Sequence, residues 1–229
     1  MHKLTLSNYI HGKLGESDIK TEPGPYITIS RQPGCEGYKV GDLLLEMLNE
    51  HDPQHRWRLV KKEILHRIAQ DTKLADEIIE RRRHAVPSLV KEFFRGMSKD
   101  GAPDDYEIRS KIANMVRAVA YEGYAIIIGQ GGTAATADIP NGLSIRLEAP
   151  KKWRLIRVCK RDNLSKQEAL AKIEQEEEMR VYIRKLYEKA NPRTPAFNLT
   201  IDNSVLRASR IASLIYYTMQ LKNMIPSER

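Results

Sequence analysis

The sequence predicts an α/β protein built on a parallel, doubly wound sheet. Short apolar runs rich in β-branched residues alternate along the chain with longer segments that have helical spacing. Two of these apolar runs pass directly into glycines, as expected for strands that are buried on both faces and end at a cleft. The five predicted strands are Tyr26–Ile29, Trp57–Val60, the apolar part of Gly123–Gly132, Leu143–Pro150 and Phe197–Asp202.

The segment Tyr26–Gly41 contains a predicted strand, a turn with Gly34 and Gly37, and the start of a helix whose apolar spacing runs over Val40–Glu50. In such a turn several backbone N–H groups converge at a helix N-terminus, where unpaired donors and the helix dipole favour an anion. Phosphate is the expected ligand. The alternative is an ordinary turn between strand and helix, whose glycines only supply left-handed conformations.

A Walker A loop, G-x-x-x-x-G-K-[ST], matches this turn at only one of its four defining positions, Gly37. Gln32 stands where the first glycine is required, Tyr38 where the lysine is required, and Lys39 where the hydroxyl residue is required. The motif alone therefore leaves both interpretations of the turn open.

Length and composition favour one α/β domain with an inserted helical segment. The chain has 229 residues, of which 41% are hydrophobic and 30% are charged, as in soluble globular proteins. No apolar run approaches the roughly 20 residues that span a bilayer. Residues 1–25 lack the apolar segment of a signal peptide, and we interpret them as a polar N-terminal arm. The expected location is the cytoplasm.

Neither the cysteines nor the histidines form a metal-binding pattern. Cys35 and Cys159 are far apart, and no CxxC or HExxH spacing occurs, so we expect reduced thiols and no structural metal. Cys35 lies in the glycine turn and could be a nucleophile. No histidine is placed by the sequence to activate it, which favours a small packing residue instead.

The net charge of +8 predicts a polyanionic partner. A basic face for nucleic acid and a phosphate-binding cleft are both compatible with it. The cluster Arg81–Arg83 fits a solvated helix face equally well, and no aromatic RNA-binding signature accompanies it. Nucleic acid is therefore the less favoured partner.

Two helical segments interrupt the alternation of strands. Residues 52–122 form a predicted helical insert, whose last helix has Asp104 or Asp105 as its N-cap. Residues 151–190 combine several arginines with a capping box at Ser165–Glu168. This second segment is interpreted either as a mobile lid or as two solvated helices with i,i+4 ion pairs. A last helix, from about Ser204 to Met224, is predicted to bury Leu206, Ile211, Leu214, Ile215 and Met219.

With these residues assembled, the chain resembles the cytidylate kinase-like family of P-loop nucleoside monophosphate kinases. The family's I-S-R-E-F-G-S-G-G-R-E-I-G is matched without a gap by residues 29–41, and its I-I-G-R-G-A by residues 127–132. Its strand followed by A-P is similar to residues 145–150, and its final Y-D-L-x-I-x-T-S to residues 197–204. In the lid, R-x-x-R corresponds to Arg154 and Arg157, and I-x-x-x-D-x-x-R to Ile173 through Arg180. The resemblance covers residues 26–214, with the insert similar only in outline.

The departures from the family's pattern fall within the candidate site. Tyr38 stands for the family's phosphate-loop arginine, Glu36 for a glycine and Gln32 for an acidic residue. Gln130 replaces the arginine after the third strand, and Glu177 replaces the lid aspartate. Lys39 is the only cation left inside the loop.

The resemblance implies a three-layer αβα kinase domain over residues 26–222 and ATP-dependent phosphoryl transfer to a nucleoside monophosphate, CMP or dCMP, with Mg²⁺ bound to the ATP. It implies three sets of residues. The implied catalytic set is Lys39, Arg154, Arg157, Arg161 and Arg180. The implied nucleotide-binding set is Gly34, Cys35, Glu36, Gly37, Tyr38, Lys39 and Val40. The implied acceptor-binding set is Arg31, Gln130 and Gly131. Because the loop departs from the family's pattern, a non-catalytic nucleotide sensor is an alternative. The net charge alone supports a further alternative, a nucleic-acid-binding module.

Overall fold

The computed structural model describes residues 22–65, 103–188 and 197–226, without the side chains of residues 103–108, 110 and 183–188. Within these ranges one sheet contains five parallel strands in the order β2-β3-β1-β4-β5. The strands are β1 Tyr26–Arg31, β2 Arg58–Val60, β3 Ala125–Ile128, β4 Gly142–Glu148 and β5 Leu199–Asp202. The helices are α1 Gly37–His51, α2 Pro103–Glu122, α3 Gly132–Ala135, α4 Lys151–Asp162, α5 Lys166–Glu188 and α6 Ala208–Leu221. The predicted five-stranded parallel sheet is confirmed.

The central strand β1 pairs with β3 on one side and with β4 on the other. All four residues of β3 are buried, as are Tyr26–Ile29 of β1. This burial on both faces is why the two strands appear in the sequence as continuous apolar runs. Their carboxyl ends meet at the same edge of the sheet, next to the glycine turn.

Helices α1 and α6 cover one face of the sheet. Val40 and Leu44 of α1 pack with Ile211 and Ile215 of α6 and with the inward side chains of β1, β3 and β4. Each fully buried side chain of this size contributes about 1.5 to 3 kcal/mol of hydrophobic stabilisation, as an upper estimate. The prediction that Leu214 of α6 is a core residue is wrong, because its side chain lies beside the buried stripe and the residue is 39% exposed.

Helices α2 and α3 cover β3 and β1 on the other face, which completes the three layers. The buried Arg117 of α2 donates bidentate hydrogen bonds of 2.6 and 2.7 Å to Asp138 and a third, of 2.6 Å, to the carbonyl of Ala135. These bonds fix α2 to the connection between α3 and β4. Asp104 and Asp105 are helical residues of α2, so the prediction that one of them is the N-cap is wrong.

Several predictions concern residues outside the described ranges. They include most of the N-terminal arm (residues 1–21), the middle of the insert with Arg81–Arg83, and the end of the lid segment after Glu188. Among the described helices, none is both long and apolar enough to cross a membrane.

Candidate functional site

The glycine turn between β1 and α1 lies directly against the first turn of α4. Gly34 has a φ of +89°, and a Cβ built on it would lie 2.9 Å from both the Cβ and the carbonyl oxygen of Arg154. Only glycine fits both the left-handed conformation and this close approach. Glycine at position 34 therefore allows the lid segment to pack directly against the turn.

Gly34→Ala should lower the free energy of unfolding by about 2 to 4 kcal/mol, the sum of a left-handed alanine and an overpacked contact. Denaturant-induced unfolding measures the change. Gly132→Ala is the matched control, because its added methyl group would meet Ile127 at 3.3 Å and Gly132 has no left-handed φ. Equal losses in the two variants would contradict the proposed role of the contact with Arg154.

Two amides of the predicted phosphate loop are already hydrogen-bonded within the protein. The N–H of Cys35 donates to the carbonyl of Gln32 (3.2 Å), and the N–H of Glu36 donates to Oδ1 of Asn203 (2.7 Å). Helix α1 begins at Gly37, so residues 37–40 form its first turn rather than a loop. The amides of residues 37–39 are the ones that lack an intrahelical acceptor, and they are the ones suited to an anion.

The loop contains a fixed anion of its own, the carboxylate of Glu36. Its Oε1 lies 2.8 Å from Nη2 of Arg157 and 3.9 Å from Nζ of Lys39. The Arg157 guanidinium also stacks on the ring of Trp153, 4.6 Å from its centroid. An incoming phosphate would therefore have to compete with Glu36 for these two cations.

Tyr38 replaces the family's arginine, yet two cations lie against its ring. The Arg31 guanidinium is 5.0 Å from the ring centroid, and Nζ of Lys61 is 5.7 Å from it. Lys61 also pairs with Asp42 at 3.0 Å. Among the described residues, Lys39, whose side chain is 67% exposed, has one ionic contact, the long one with Glu36. Two cations thus lie against the Tyr38 ring, and a third, Lys39, follows it in the sequence.

Arg31 lies next to the turn after β3, which contains the other residues of the predicted acceptor-binding set. Gly129, Gln130 and Gly131 have φ values of +73°, +58° and +66°. A Cβ on Gly129 would overlap Nη1 of Arg31, so this glycine makes room for the guanidinium. The left-handed Gln130 is an uncommon conformation for a residue with a side chain. Arg31 donates no side-chain hydrogen bond to any other described residue, which leaves its fork available to a ligand.

Arg154 connects three parts of the site. Its side chain is 5% exposed and donates hydrogen bonds to the carbonyls of Ala149 (2.8 Å) and Pro33 (3.3 Å) and to Glu177 (2.7 Å). Glu177, which stands where the family has an aspartate, thereby makes an ionic contact between α5 and α4. The predicted catalytic arginine at this position is occupied by protein groups in this arrangement.

Arg180 attaches helix α5 to the end of β1. It donates to the main-chain carbonyl of Arg31 at 2.6 Å and to Glu176 at 2.7 Å. Burial, followed by the charge of Arg31 and then that of Arg146, lowers the pKa of Arg180 to about 10. Arg180 is therefore held among other cations with one carboxylate to offset them.

The rest of the lid segment agrees with the sequence in part. The predicted capping box is confirmed: the N–H of Ser165 donates to Glu168 at 2.9 Å, and the N–H of Glu168 donates to Oγ of Ser165 at 3.3 Å. Arg161 is 56% exposed and pairs with Asp162 at 2.7 Å. Arg161 is the one member of the predicted catalytic set whose described contacts do not reach the turn or the strand ends.

Sequence reasoning missed Arg146 and Asn203. Arg146 is 14% exposed and donates from Nη1 to Oγ of Ser30 (2.9 Å) and from Nε to Glu148 (3.1 Å). The alternation of β4, with Ser144, Arg146 and Glu148 opposite an apolar face, was the signal that could have found it. Asn203 is buried and receives the N–H of Glu36, a contact across more than 160 residues that no local pattern predicts.

Cys35 has the environment of a packing residue. Burial raises the pKa of its thiol to about 11, although Arg154, Arg146 and Arg180 oppose the shift. The thiol is therefore protonated near neutral pH and is a poor nucleophile.

Comparison with known proteins places this geometry in a class. The five-stranded parallel sheet with flanking helices is consistent with a P-loop type of fold. The chain belongs to the cytidylate kinase-like family, whose model matches residues 26–205. Membership of this family indicates a kinase-like protein with nucleotide substrates.

Two solved structures are similar to the chain. A crystal structure of an uncharacterized protein from Eubacterium ventriosum ATCC 27560 has 21% sequence identity and a TM-score of 0.64, and the match covers 86% of this chain and 98% of that one. TT1252 from Thermus thermophilus has 16% identity and a TM-score of 0.45, with 87% and 99% covered. The first likeness shows the fold alone, and the second carries no argument. A search of curated proteins found no match.

Proposed function

We propose that the protein transfers a phosphoryl group from ATP to a nucleoside monophosphate, with CMP or dCMP as the acceptor. The observation that carries this proposal is the position of Arg31. Its guanidinium lies between the first turn of α1 and the glycine turn after β3, and it donates no side-chain hydrogen bond to the described residues. A donor phosphate at α1 and an acceptor phosphate at Gly129–Gly131 would both lie near it.

The proposed roles follow from the available donors. The amides of residues 37–39 and the ammonium group of Lys39 would bind the donor phosphates at the positive end of α1. Arg31, with Gln130 and Gly131, would bind the acceptor phosphate, because the planar guanidinium matches phosphate geometry. Such a reaction needs mainly positioning and charge stabilisation.

The lid arginines would act in different ways. Arg180 is close enough to Arg31 to contact the transferring phosphoryl group, and Arg157 would exchange Glu36 for phosphate. Arg154, whose donors are occupied, would act by positioning α4 and α5 against the turn. Arg161 would join the site only after movement of α4 or a change of its pairing with Asp162.

Magnesium would enter as part of the MgATP substrate. Lys39 stands where a Walker A loop has its metal-binding hydroxyl. Among the described residues, no group of three or more His, Cys, Asp or Glu side chains could hold a metal ion. The described residues therefore do not fit a protein-held magnesium site, and the proposed roles of the side chains do not depend on one.

A second candidate, the nucleotide sensor, is favoured by Glu36. A carboxylate at the N-terminus of α1, paired with Arg157 and near Lys39, opposes the binding of a polyphosphate in a catalytic position. A sensor would bind nucleotide and change its contacts without transferring a phosphoryl group.

MgATP should stabilise the fold, by about 2.7 kcal/mol when its concentration is 100 times the dissociation constant. Thermal unfolding with and without millimolar MgATP measures this effect. A coupled assay of ADP formation with a panel of nucleoside monophosphates then separates the two candidates. Stabilisation together with monophosphate-dependent ADP formation is expected. An unchanged melting curve would remove both candidates, and stabilisation without turnover on any monophosphate would leave the sensor.

A further inference from the structure

Three arginine residues lie at or contact the carboxyl end of β1. Arg31 is the last residue of this strand, and Arg180 donates to its main-chain carbonyl at 2.6 Å. Arg146 approaches from β4, where it pairs with Ser30 in the register of the sheet and donates to the Ser30 hydroxyl at 2.9 Å. Three elements, β1, β4 and α5, thus contribute one arginine each near this strand end, and the charges of Arg31 and Arg146 both act on Arg180.

The carboxylates in contact with this cluster do not balance its charge. Arg146 is paired with Glu148, and Arg180 is paired with Glu176. Both carboxylates are accessible to water, with side chains that are 47% and 35% exposed, whereas the Arg146 side chain is only 14% exposed. Arg31 pairs with no described carboxylate. Arg180, at 31% exposed, is as accessible as its partner Glu176, so the uncompensated charge lies at Arg31, which has no described carboxylate, and at Arg146, which is more buried than its partner.

The charges inside the cluster oppose one another. After burial, the charges of Arg31 and Arg146 are the causes that lower the pKa of Arg180. Guanidinium groups that destabilise one another are stabilised together by a ligand of charge −2. Arg146 also has a donor to offer, because its Nη2 group donates to none of the described residues.

We propose that Arg146 is a phosphate ligand, and that it completes with Arg31 and Arg180 a site for a dianionic terminal phosphate. Planar guanidinium forks contributed by three elements suit a tetrahedral dianion better than a carboxylate, which presents one charge and two oxygens. The phosphate of a nucleoside monophosphate and the terminal phosphate of ATP share this chemistry. The existence of the site is independent of the proposed function, and only the source of its phosphate rests on that function.

The competing explanation is that Arg146 only joins β4 to β1 through Ser30 and Glu148. The two explanations differ in the expected effect of Glu148. If Arg146 binds phosphate, removing the Glu148 carboxylate frees its guanidinium and strengthens binding. If Arg146 is only structural, removing Glu148 leaves phosphate binding unchanged or weakens it.

Isothermal titration calorimetry with inorganic phosphate near pH 8, at constant ionic strength, tests the proposal without ATP or turnover. Arg146→Gln should weaken phosphate binding about 10- to 100-fold, the range for one lost charge-assisted hydrogen bond. Arg146→Lys should fall between this variant and the wild type, because it keeps the charge but not the fork. Glu148→Gln should strengthen binding about 2- to 5-fold, the scale of one partly exposed ion pair. The control Arg210→Gln removes an exposed arginine of α6 and should bind phosphate as the wild type does.

Steady-state kinetics then identify the source of the phosphate. An increase in the KM for the monophosphate, with little change in kcat, assigns the site to the acceptor, and an increase in the KM for ATP assigns it to the donor. Wild-type phosphate affinity in both folded Arg146 variants would overturn the proposal, as would equal weakening in Arg210→Gln or unchanged or weaker binding in Glu148→Gln. Phosphate binding that depends on Arg146 in a protein without turnover would support the site and reject the proposed function.

Discussion

Arg180→Met is expected to lower kcat for phosphoryl transfer about 100- to 1000-fold, the loss typical of one preorganised group that stabilises transition-state charge. Arg180 is the only lid arginine whose guanidinium reaches the end of β1 in the described residues, through its contact with the Arg31 carbonyl. ATP binding should change less than about threefold, because the donor contacts of α1 remain in place. A coupled assay gives kcat, and calorimetric titration with MgATP gives the dissociation constant.

Two control variants define what this result means. Arg180→Lys keeps the charge and loses the planar fork, so it should recover only part of the activity. Arg210→Met removes a comparable charge from the exposed side of α6 and should behave as the wild type. Loss of the hydrogen bond to Arg31 should also cost about 1 kcal/mol of stability, so each variant needs an unfolding curve. A folded Arg180→Met protein with kcat within threefold of the wild type would show that Arg180 has no contact in the transition state.

The fold was predictable because local pattern and burial agree. The apolar residues of β1 and β3 are buried on both faces, and such strands leave a continuous apolar run that no surface strand shows. The capping box at Ser165 was predictable for a similar reason, since both of its hydrogen bonds join residues three apart. The prediction that Leu214 is buried was wrong, because helical spacing predicts an apolar stripe but not the width of that stripe. The width depends on how closely α6 packs on α1.

The contacts of the site were not predictable, because they join residues far apart in the sequence. Glu36 in the turn is compensated by Arg157 of α4 and bonded through its amide to Asn203 beyond β5. In the sequence, Tyr38 stands where the family has an arginine. In the structure, the cationic groups of Arg31 and Lys61 lie against its ring. The departures from the family's pattern thus rearrange the charges around α1 and leave cations in its surroundings.

Lys39 is the residue for which the kinase and the sensor predict different results. Its side chain is 67% exposed, and its 3.9 Å contact with Glu36 is long, so little free energy is lost when the ammonium group moves towards a phosphate. If Lys39 supplies the charge that the family's arginine supplies one residue earlier, Lys39→Ala should lower kcat about 10- to 1000-fold. ATP binding should fall much less, because the amides of residues 37–39 remain.

The matched control for Lys39→Ala is Lys222→Ala, which removes an exposed lysine at the end of α6. This control distinguishes a direct contact of Lys39 from a general effect of net charge on the rate of encounter with ATP. A general effect would appear in both variants and would weaken as salt is added. A loss of kcat confined to Lys39→Ala and persisting at moderate salt would support a direct contact with the transferring phosphoryl group. A protein that binds MgATP equally well with and without Lys39 and transfers no phosphoryl group in either form would be a sensor, because a charge that the transition state does not use can be removed without consequence.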